Sequence, residues 1–526
     1  MRAEAADAAL PGRRRLVALL TACLLAATLA WAVSAAFYGT VPGDDAFITF
    51  RYAENWLAGH GPVWNPGERV EGYSNPLFLA LMTLLAALGM TLPGAAALVN
   101  LLGLATVLAV IVLWSRELAD DDRPGWLAAG VAGVVLLHPA TALYLHQGLE
   151  TLQHAGLVAL ALFVVRRGVR SPAHLVGAAA LAAALAISRP EGILMTAVVG
   201  AFCLAGRGDR LRRPLLFVLP AAVLIGSWIA LRWSFYGDLL PNTYYVKLAA
   251  PLLRRLVRGV EYVADGGAVL LFAPLLLAPL WRLDTPQRRR SMLVLVVGLL
   301  AVLVFPLLAG GDWMRGYRFL VPALPFAAVL WGAGVGALWG ASSQPLRWLR
   351  LLAAAVAVAA ILARVTLAHV ELARASREDG AWVAAHAALG GWLREQTPPG
   401  SLIALGAVGA VGFYSDRPVL DCWGLNDAWI ARHGRRAQGL TMAHQTYDGR
   451  YVWRRRPEWV FPLNGPLSEP VDERTFRRLA LAPGEPSRFW AAELMAQPGF
   501  AGAYAYRTVE VAPGVWFGAY LTVADG

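Results

Sequence analysis

Three cysteines in 526 residues, Cys23, Cys203 and Cys422, are too few and too scattered for a disulfide framework or a cysteine metal cluster, and two of them lie in apolar runs. Charge is scarce too. Asp, Glu, Lys and Arg make up 15% of the chain against 58% hydrophobic residues, and the mean hydropathy of +0.52 excludes an ordinary soluble domain, so lipid is part of the solvent. HExxH is absent, and His60, lying between two glycines, has no metal-ligand spacing. The nearest approach to a nucleotide loop, GAVGAVG at 406–412, is not GxGxxG and reads as a turn or close-packing element. No internal repeat is evident, which counts against transporter folds built from one.

What is present is a series of apolar runs separated by arginine clusters. A formal charge of +11 would suggest nucleic acid in a soluble protein, but here the basic residues sit between apolar runs, as the positive-inside rule expects, so the partner is the bilayer and not nucleic acid. Residues 16–37 follow Arg13, Arg14 and Arg15 and supply about 22 residues, enough for a roughly 30 Å hydrocarbon core; they read as a retained first span with a cytoplasmic N-terminus rather than a signal peptide. Further runs lie at 76–89, 95–114, 126–137, 149–165, 175–187, 193–205, 215–233, 268–281, 292–308, 320–339 and 351–367. Arg166, Arg167 and Arg170, then 207–213, 282–290, and Arg347 with Arg350 mark cytoplasmic loops; 146–150, 188–192, 236–258 and 310–318 then fall outside. Twelve spans would put the early runs out of phase with these loops. Either 126–137 or one of the two runs between 76 and 114 is therefore re-entrant or surface-lying, leaving about 11 spans.

The expected architecture is a polytopic α-helical membrane domain over 1–369 and a mixed α/β soluble domain over 370–526 on the outer face, where charges, prolines and turn signals return. Within the latter, 371–396 reads as amphipathic helix and 401–405, 418–421, 459–463 and 515–522 as strands.

Polar density peaks at 43–75, GDDAFITFRYAENWLAGHGPVWNPGERVEGYSN, directly after the first span. The adjacent acids Asp44 and Asp45 are the catalytic candidates, since activating a hydroxyl needs a carboxylate beside it; they could also hold a divalent cation, Mg or Mn, and the competing role is capping of the helix that follows. Arg51, Tyr52 and Asn55 share one face of that helix and could grip a phosphate or sugar. Trp64 is a candidate sugar-stacking ring, alternatively part of an interfacial aromatic belt with Tyr73. His60, Asn65, Glu71 and Asn75 complete the first-loop set. Later outer loops add Glu150 from HQGLE, Asn242, Tyr244 and Lys247 from YGDLLPNTYYVK, and Asp312, Arg315 and Arg318 from GGDWMRGYRFLVP. Ionisable groups at span ends are costly unless paired or hydrated, so several converging on one cavity is a functional expectation, with Lys247, Arg315 and Arg318 supplying positive charge for a phosphate. Arg189 and Glu191 read as a structural pair. Asp421, Asn426 and Asp427 in LDCWGLND are candidate acceptor contacts, or an Asx-capped turn.

Together these stretches resemble, in the same order, the motifs of the GT-C superfamily of polyprenyl-phosphate-sugar glycosyltransferases, most of all the bacterial cell-wall arabinofuranosyltransferases. The resemblance implies a helical bundle with an outward cavity in the bacterial inner membrane. It implies a sugar, first of all arabinofuranose, passed from a polyprenyl-phosphate donor to a cell-envelope glycan or other surface acceptor. No organic cofactor is implied. One carboxylate of the pair would take the acceptor proton while basic groups hold the departing lipid phosphate. The rival readings are a lipid-linked sugar transporter or flippase and a non-catalytic envelope assembly protein.

Overall fold

The computed structural model describes residues 12–118, 126–169, 171–205, 211–247, 251–267, 283–340, 347–437 and 446–523. The expected run at 268–281 lies outside them, as do Arg170, Arg207, Arg210 and Arg282 of the basic loops.

Almost every other apolar run is a helix with local reasons to start where it does. Pro76, Pro139, Pro172 and Pro286 occupy the first turn, where a missing N–H costs nothing. Ser171 and Thr285 cap their helices by accepting from His174 N and Arg288 N, each at 3.2 Å. Among the described residues five helices are long and apolar enough to cross a membrane: Arg13–Tyr38, Leu92–Leu118, Arg212–Tyr236, Pro286–Ala309 and Arg318–Val335. Four shorter apolar helices, Pro76–Ala87, Thr151–Val165, Pro172–Ser188 and Gly192–Leu204, pack among them. The apolar stretch of Leu92–Leu118 is 67% buried and those of Arg13–Tyr38 and Arg212–Tyr236 only 11%, which makes the first the centre of the bundle and the other two its lipid-facing edge. Leu92–Leu118 meets Thr151–Val165 backbone to backbone: a Cβ on Gly103 would lie 2.4 Å from the Leu152 carbonyl oxygen, so the crossing depends on a residue without one.

A single helix, Arg347–Gln396, joins what the sequence reads as two elements, the apolar run at 351–367 and the amphipathic stretch at 371–396. Its 50 residues carry the chain about 75 Å, out of the bundle and under the C-terminal sheet. That sheet has five strands in the order β2-β1-β5-β7-β6, with β1 Ile403–Leu405, β2 Val419–Asp421, β5 Trp459–Phe461, β6 Tyr504–Ala512 and β7 Val515–Thr522. β3 Arg435–Arg436 and β4 Thr446–Tyr447 form a separate two-residue ladder. β2, β1 and β5 are parallel, while β7 pairs antiparallel with both β5 and β6. β6, which the sequence analysis did not anticipate, is an edge strand with only partial burial, so no clean hydrophobic alternation announces it.

One face of the sheet decides where the site lies. Ile403, Leu405, Val419, Phe461 and Phe517 share a core with Leu389 and Leu393 of the long helix and with Tyr52, Trp64 and Tyr73 of the 43–75 stretch. The helical part and the α/β part therefore have a common core, and the 43–75 stretch is the filling between them.

Candidate active site

Helix Asp44–Leu57 begins with the acid pair, and the two acids do different things. Asp44 does not cap its own helix, whose N-cap is Gly43 without a side-chain bond. Its carboxylate instead accepts from Gly409 N at 3.1 Å and Ala410 N at 2.8 Å, two of the orphan donors opening helix Val408–Ser415. The GAVGAVG stretch is thus the close-packing element expected: a Cβ on Gly409 would sit 2.0 Å from the Asp44 carbonyl oxygen, and one on Gly412 would sit 2.6 Å from the Trp64 ring. Burial pushes the Asp44 carboxyl up to about 6 against the pull of those N–H groups. Asp45 faces a cavity of about 590 Å³ between the bundle and the α/β part.

Four carboxylates line that cavity, and three are engaged. Asp44 holds the two backbone N–H groups, Glu378 pairs with Arg374 at 2.9 Å, and Asp379 lies 4.0 Å from Arg315. Among the described residues Asp45 has no hydrogen bond or ion pair. Lys247, at the end of helix Asn242–Lys247, likewise has neither; burial and the neighbouring Arg318 push its ammonium down from the usual range, while Asp312 and Asp45 pull the other way. Arg318 pairs with Asp312, and Glu150 with Arg189, which also holds Glu191 as expected. Asn75 donates to Glu150 at 2.7 Å. A buried charge network thus runs beneath Asp45, with Lys247 its unpaired cation. Next to the first cavity lies a second of about 500 Å³, lined by Tyr262, Leu320 and Leu324, by Arg364 and by the carboxylates Asp265, Asp312 and Glu371; the two cavities share Trp313, Met314, Arg315, Leu372 and Ala375.

Much of the first-loop set lies elsewhere. Arg51 is buried, donates to the carbonyls of Trp64 and Arg417 at 2.7 Å each, to that of Gly412 and to Asn65 Oδ1 at 3.1 Å, and stacks on Trp64, so it cannot reach a phosphate. The Tyr52 hydroxyl donates to Val70 O and accepts from Gly72 N. Trp64, expected as a stacking ring, is buried with its Nε1 donating to Val419 O at 3.1 Å; Asn65 clamps both the N–H and the C=O of Val419 at 3.0 Å. Glu71 pairs with Arg232 at 2.7 Å, and burial lifts its carboxyl to about 7. The Tyr73 hydroxyl meets that of Tyr236 at 3.1 Å, and Asn242 donates to Gly424 O at 2.8 Å. His60 and Tyr244 are exposed and line neither cavity.

The acceptor candidates are structural as well. Asp421 accepts from the main-chain N–H groups of Trp423, Gly424 and Asn426, Asn426 is bound to Asp421 and Tyr52, and Asp427 caps helix Ala428–His433 through Ile430 N at 2.9 Å. The Asx-turn alternative holds. Sequence reasoning missed Gln147, Trp382, Trp423, Asn464, Glu378 and Asp379, all on the cavity wall. Gln147 and Trp423 sit inside stretches already singled out, HQGLE and LDCWGLND; Glu378, Asp379 and Trp382 belong to an ordinary-looking amphipathic helix and carry no local signal. As to a cation, each Asp44 oxygen already accepts one backbone N–H, the pair alone supplies two carboxylates, and no cluster of three or more His, Cys, Asp or Glu suited to a metal occurs among the described residues. The residues do not fit a resident metal.

Against solved structures the chain aligns over 98% of its length with ArnT from Cupriavidus metallidurans bound to undecaprenyl phosphate, covering 99% of that chain, at TM-score 0.53 and 16% identity. It aligns over the same share with the mycobacterial arabinofuranosyltransferase AftD, covering 40% of that chain, at TM-score 0.50 and 16% identity. The fold is the GT-C fold. Curated relatives point the same way: the terminal β-(1→2)-arabinofuranosyltransferase of Corynebacterium glutamicum is 28% identical over 53% of this chain, and that of Mycobacterium tuberculosis 30% identical over 47%. The matched stretches span 46% and 41% of those relatives, so the chain accounts for less than half of their length. Residues 372–511 match a family described as a domain of unknown function, DUF8728. On this GT-C fold the resemblance to arabinofuranosyltransferases rests on relatives as well as motifs.

Proposed function

We propose that this chain is a membrane glycosyltransferase that moves a sugar, arabinofuranose by the names of its relatives, from a polyprenyl-phosphate donor to a cell-envelope glycan on the outer face of the inner membrane. The observation that carries the reading is that Asp45 alone, of four cavity carboxylates, has no partner among the described residues, while an unpaired ammonium, Lys247, lies near it. Asp45 takes the proton of the acceptor hydroxyl; the oxygen attacks the anomeric carbon, whose bond to the phosphate oxygen breaks, and the lipid phosphate leaves with the electron pair. Lys247 and Arg315, with Arg318 behind them, offset the charge that gathers on that phosphate. Asp44 fixes the turn carrying Asp45 by its two bonds to the α/β part. The second cavity has leucines beside Arg315 and Arg364, with Asp265, Glu371 and the Arg318-paired Asp312 also on its wall; in this reading the lipid phosphate sits at the two arginines, and ArnT was solved with undecaprenyl phosphate bound. No step calls for a metal. About 11 spans, arginine clusters inside and residues 370–526 outside give the orientation this chemistry needs.

The test is transfer from radiolabelled polyprenyl-phosphate arabinofuranose to a synthetic arabinofuranosyl acceptor by wild type, Asp45→Asn and Asp44→Asn. Asp45→Asn is expected to lose about a thousandfold or more in kcat with an unchanged thermal midpoint. An active Asp45→Asn enzyme would remove the base. Turnover only with another lipid-phosphate sugar would keep the class and replace the arabinose.

A further inference from the structure

Proton transfer leaves two carboxamides on the cavity wall without a task. Gln147 lies between helices Pro139–Tyr144 and Thr151–Val165, and its carbonyl accepts from Gly43 N at 3.1 Å, which draws its side chain alongside the acid pair. It is 7% exposed, lines the cavity, and its carboxamide makes no hydrogen bond among the described residues. Gly43 leaves it the room: a Cβ there would stand 2.5 Å from Gln147 Oε1. The Gln147 amide atoms are not among the buried unpartnered ones, so they open onto the cavity, where they can exchange water for a ligand's polar groups.

The second carboxamide comes from the other side of the cavity. Asn464 follows β5, and its Oδ1 accepts from Ser487 Oγ at 2.9 Å, which fixes the amide and leaves Nδ2 without a partner among the described residues. Trp382 and Trp423 supply aromatic wall nearby. The lining charges are Asp44, Asp45, Glu378 and Asp379 against Arg315, a balance that disfavours a phosphate or carboxylate on whatever enters.

Donor-and-acceptor amides beside apolar rings, in a cavity hostile to anions, match the surface of an uncharged sugar, whose hydroxyls both give and accept hydrogen bonds. We infer that Gln147 and Asn464, one from each part of the molecule, bind the acceptor sugar and hold its attacking hydroxyl at Asp45. Asn464 Nδ2 and Gln147 Nε2 donate to hydroxyl oxygens, and Gln147 Oε1 accepts a hydroxyl proton. The inference rests on the transfer reading and gives the acceptor role to side chains other than Asp421, Asn426 and Asp427. It also makes docking of the α/β part a condition for acceptor binding, since neither part holds both amides.

The experiment separates binding from turnover. The full chain in nanodiscs is titrated with a synthetic arabinofuranosyl trisaccharide by saturation-transfer NMR, and donor consumption is divided between transfer to the trisaccharide and hydrolysis to water. Gln147→Ala and Asn464→Ala are each expected to weaken trisaccharide binding, and to raise its KM, by about ten- to a hundredfold, and to shift donor consumption from transfer towards hydrolysis. Thermal midpoints report folding; should an alanine variant fail to fold, the near-isosteric Gln147→Glu and Asn464→Asp carry the same expectation. Unchanged binding and acceptor KM in folded variants of both residues would overturn the inference, as would a wild type that does not bind the trisaccharide. A wild type that binds it through both amides yet transfers nothing would keep the sugar site and overturn the transferase reading alone.

Discussion

The stretch from Arg51 to Asn75 and the short set Asp45, Gln147 and Lys247 are both polar in sequence, yet they answer to different demands. In the first, the guanidinium of Arg51, the indole N–H of Trp64, the amide of Asn65 and the hydroxyl of Tyr52 are each engaged by backbone or side chains across the seam with the sheet. In the second, a carboxylate, a carboxamide and an ammonium have no hydrogen bond or ion pair among the described residues. An apolar chain that must attach an α/β part to a helical bundle needs many satisfied polar groups at the junction. Polar density therefore marks the seam first, and chemistry belongs to the few groups the seam leaves unmatched.

If that contrast is sound, charge removal at the two places should fail differently. Lys247→Gln removes the unpaired cation without breaking a bond, so kcat for transfer is expected to drop about a hundredfold while the thermal midpoint stays near that of wild type. A midpoint that falls while kcat holds would move Lys247 to the structural side. Arg51→Gln is the converse. It strips a guanidinium from the three carbonyls and one amide oxygen that accept from it, at a cost of about 3 kcal/mol, read as a lowered midpoint in a thermal melt. Turnover per folded molecule below that midpoint should remain within about threefold of wild type. Loss of donor affinity at unchanged stability would restore the phosphate-gripping role that its helix face suggested.

The helical character of the chain was legible from hydropathy because apolar runs are long and arginine clusters separate them; helix bounds at Arg13–Tyr38 and Pro286–Ala309 lie within a few residues of the runs. The C-terminal strands at Ile403–Leu405, Val419–Asp421 and Val515–Thr522 were legible because β-branched and aromatic residues sit between turn signals. The acid pair was legible as a pair, but not its division. Asp44 is engaged by N–H groups 365 and 366 residues away along the chain, a contact that no local pattern encodes. Arg51 and Trp64 were misread for the same reason: a helix face shows which residues point together, not that a sheet strand and a glycine helix will cover them. Gln147 lay in a stretch already marked out, but its neighbours Asp45 and Asn464 come from distant segments, so only the fold reveals that its amide is left without a partner.

The smallest effect tests the seam through protons. Asp421 is 1% exposed, and burial pushes its carboxyl from an ordinary 3.8 up to about 6, against the donors from Asn426 and Trp423. The folded state then binds this proton more tightly than the unfolded chain, so the unfolded state carries fewer protons between those values and stability falls as pH rises through them. The destabilising contribution is fully present above about pH 6 and gone below about pH 4, with an upper scale of about 1.4 kcal/mol per unit of displacement. Asn at this position does not titrate. The stability of wild type relative to Asp421→Asn is therefore expected to improve as pH falls from 7 to 4, read as the difference of their thermal midpoints at each pH. Glu71, displaced in the same direction, is common to both proteins and cancels in that difference, while Asp44, whose carboxyl the Asp421 charge helps to raise, adds to it with the same sign. A difference that is flat, or that worsens on acidification, would mean that the four hydrogen bonds to Asp421 outweigh its burial and that the turn beneath the cavity holds a carboxylate in comfort.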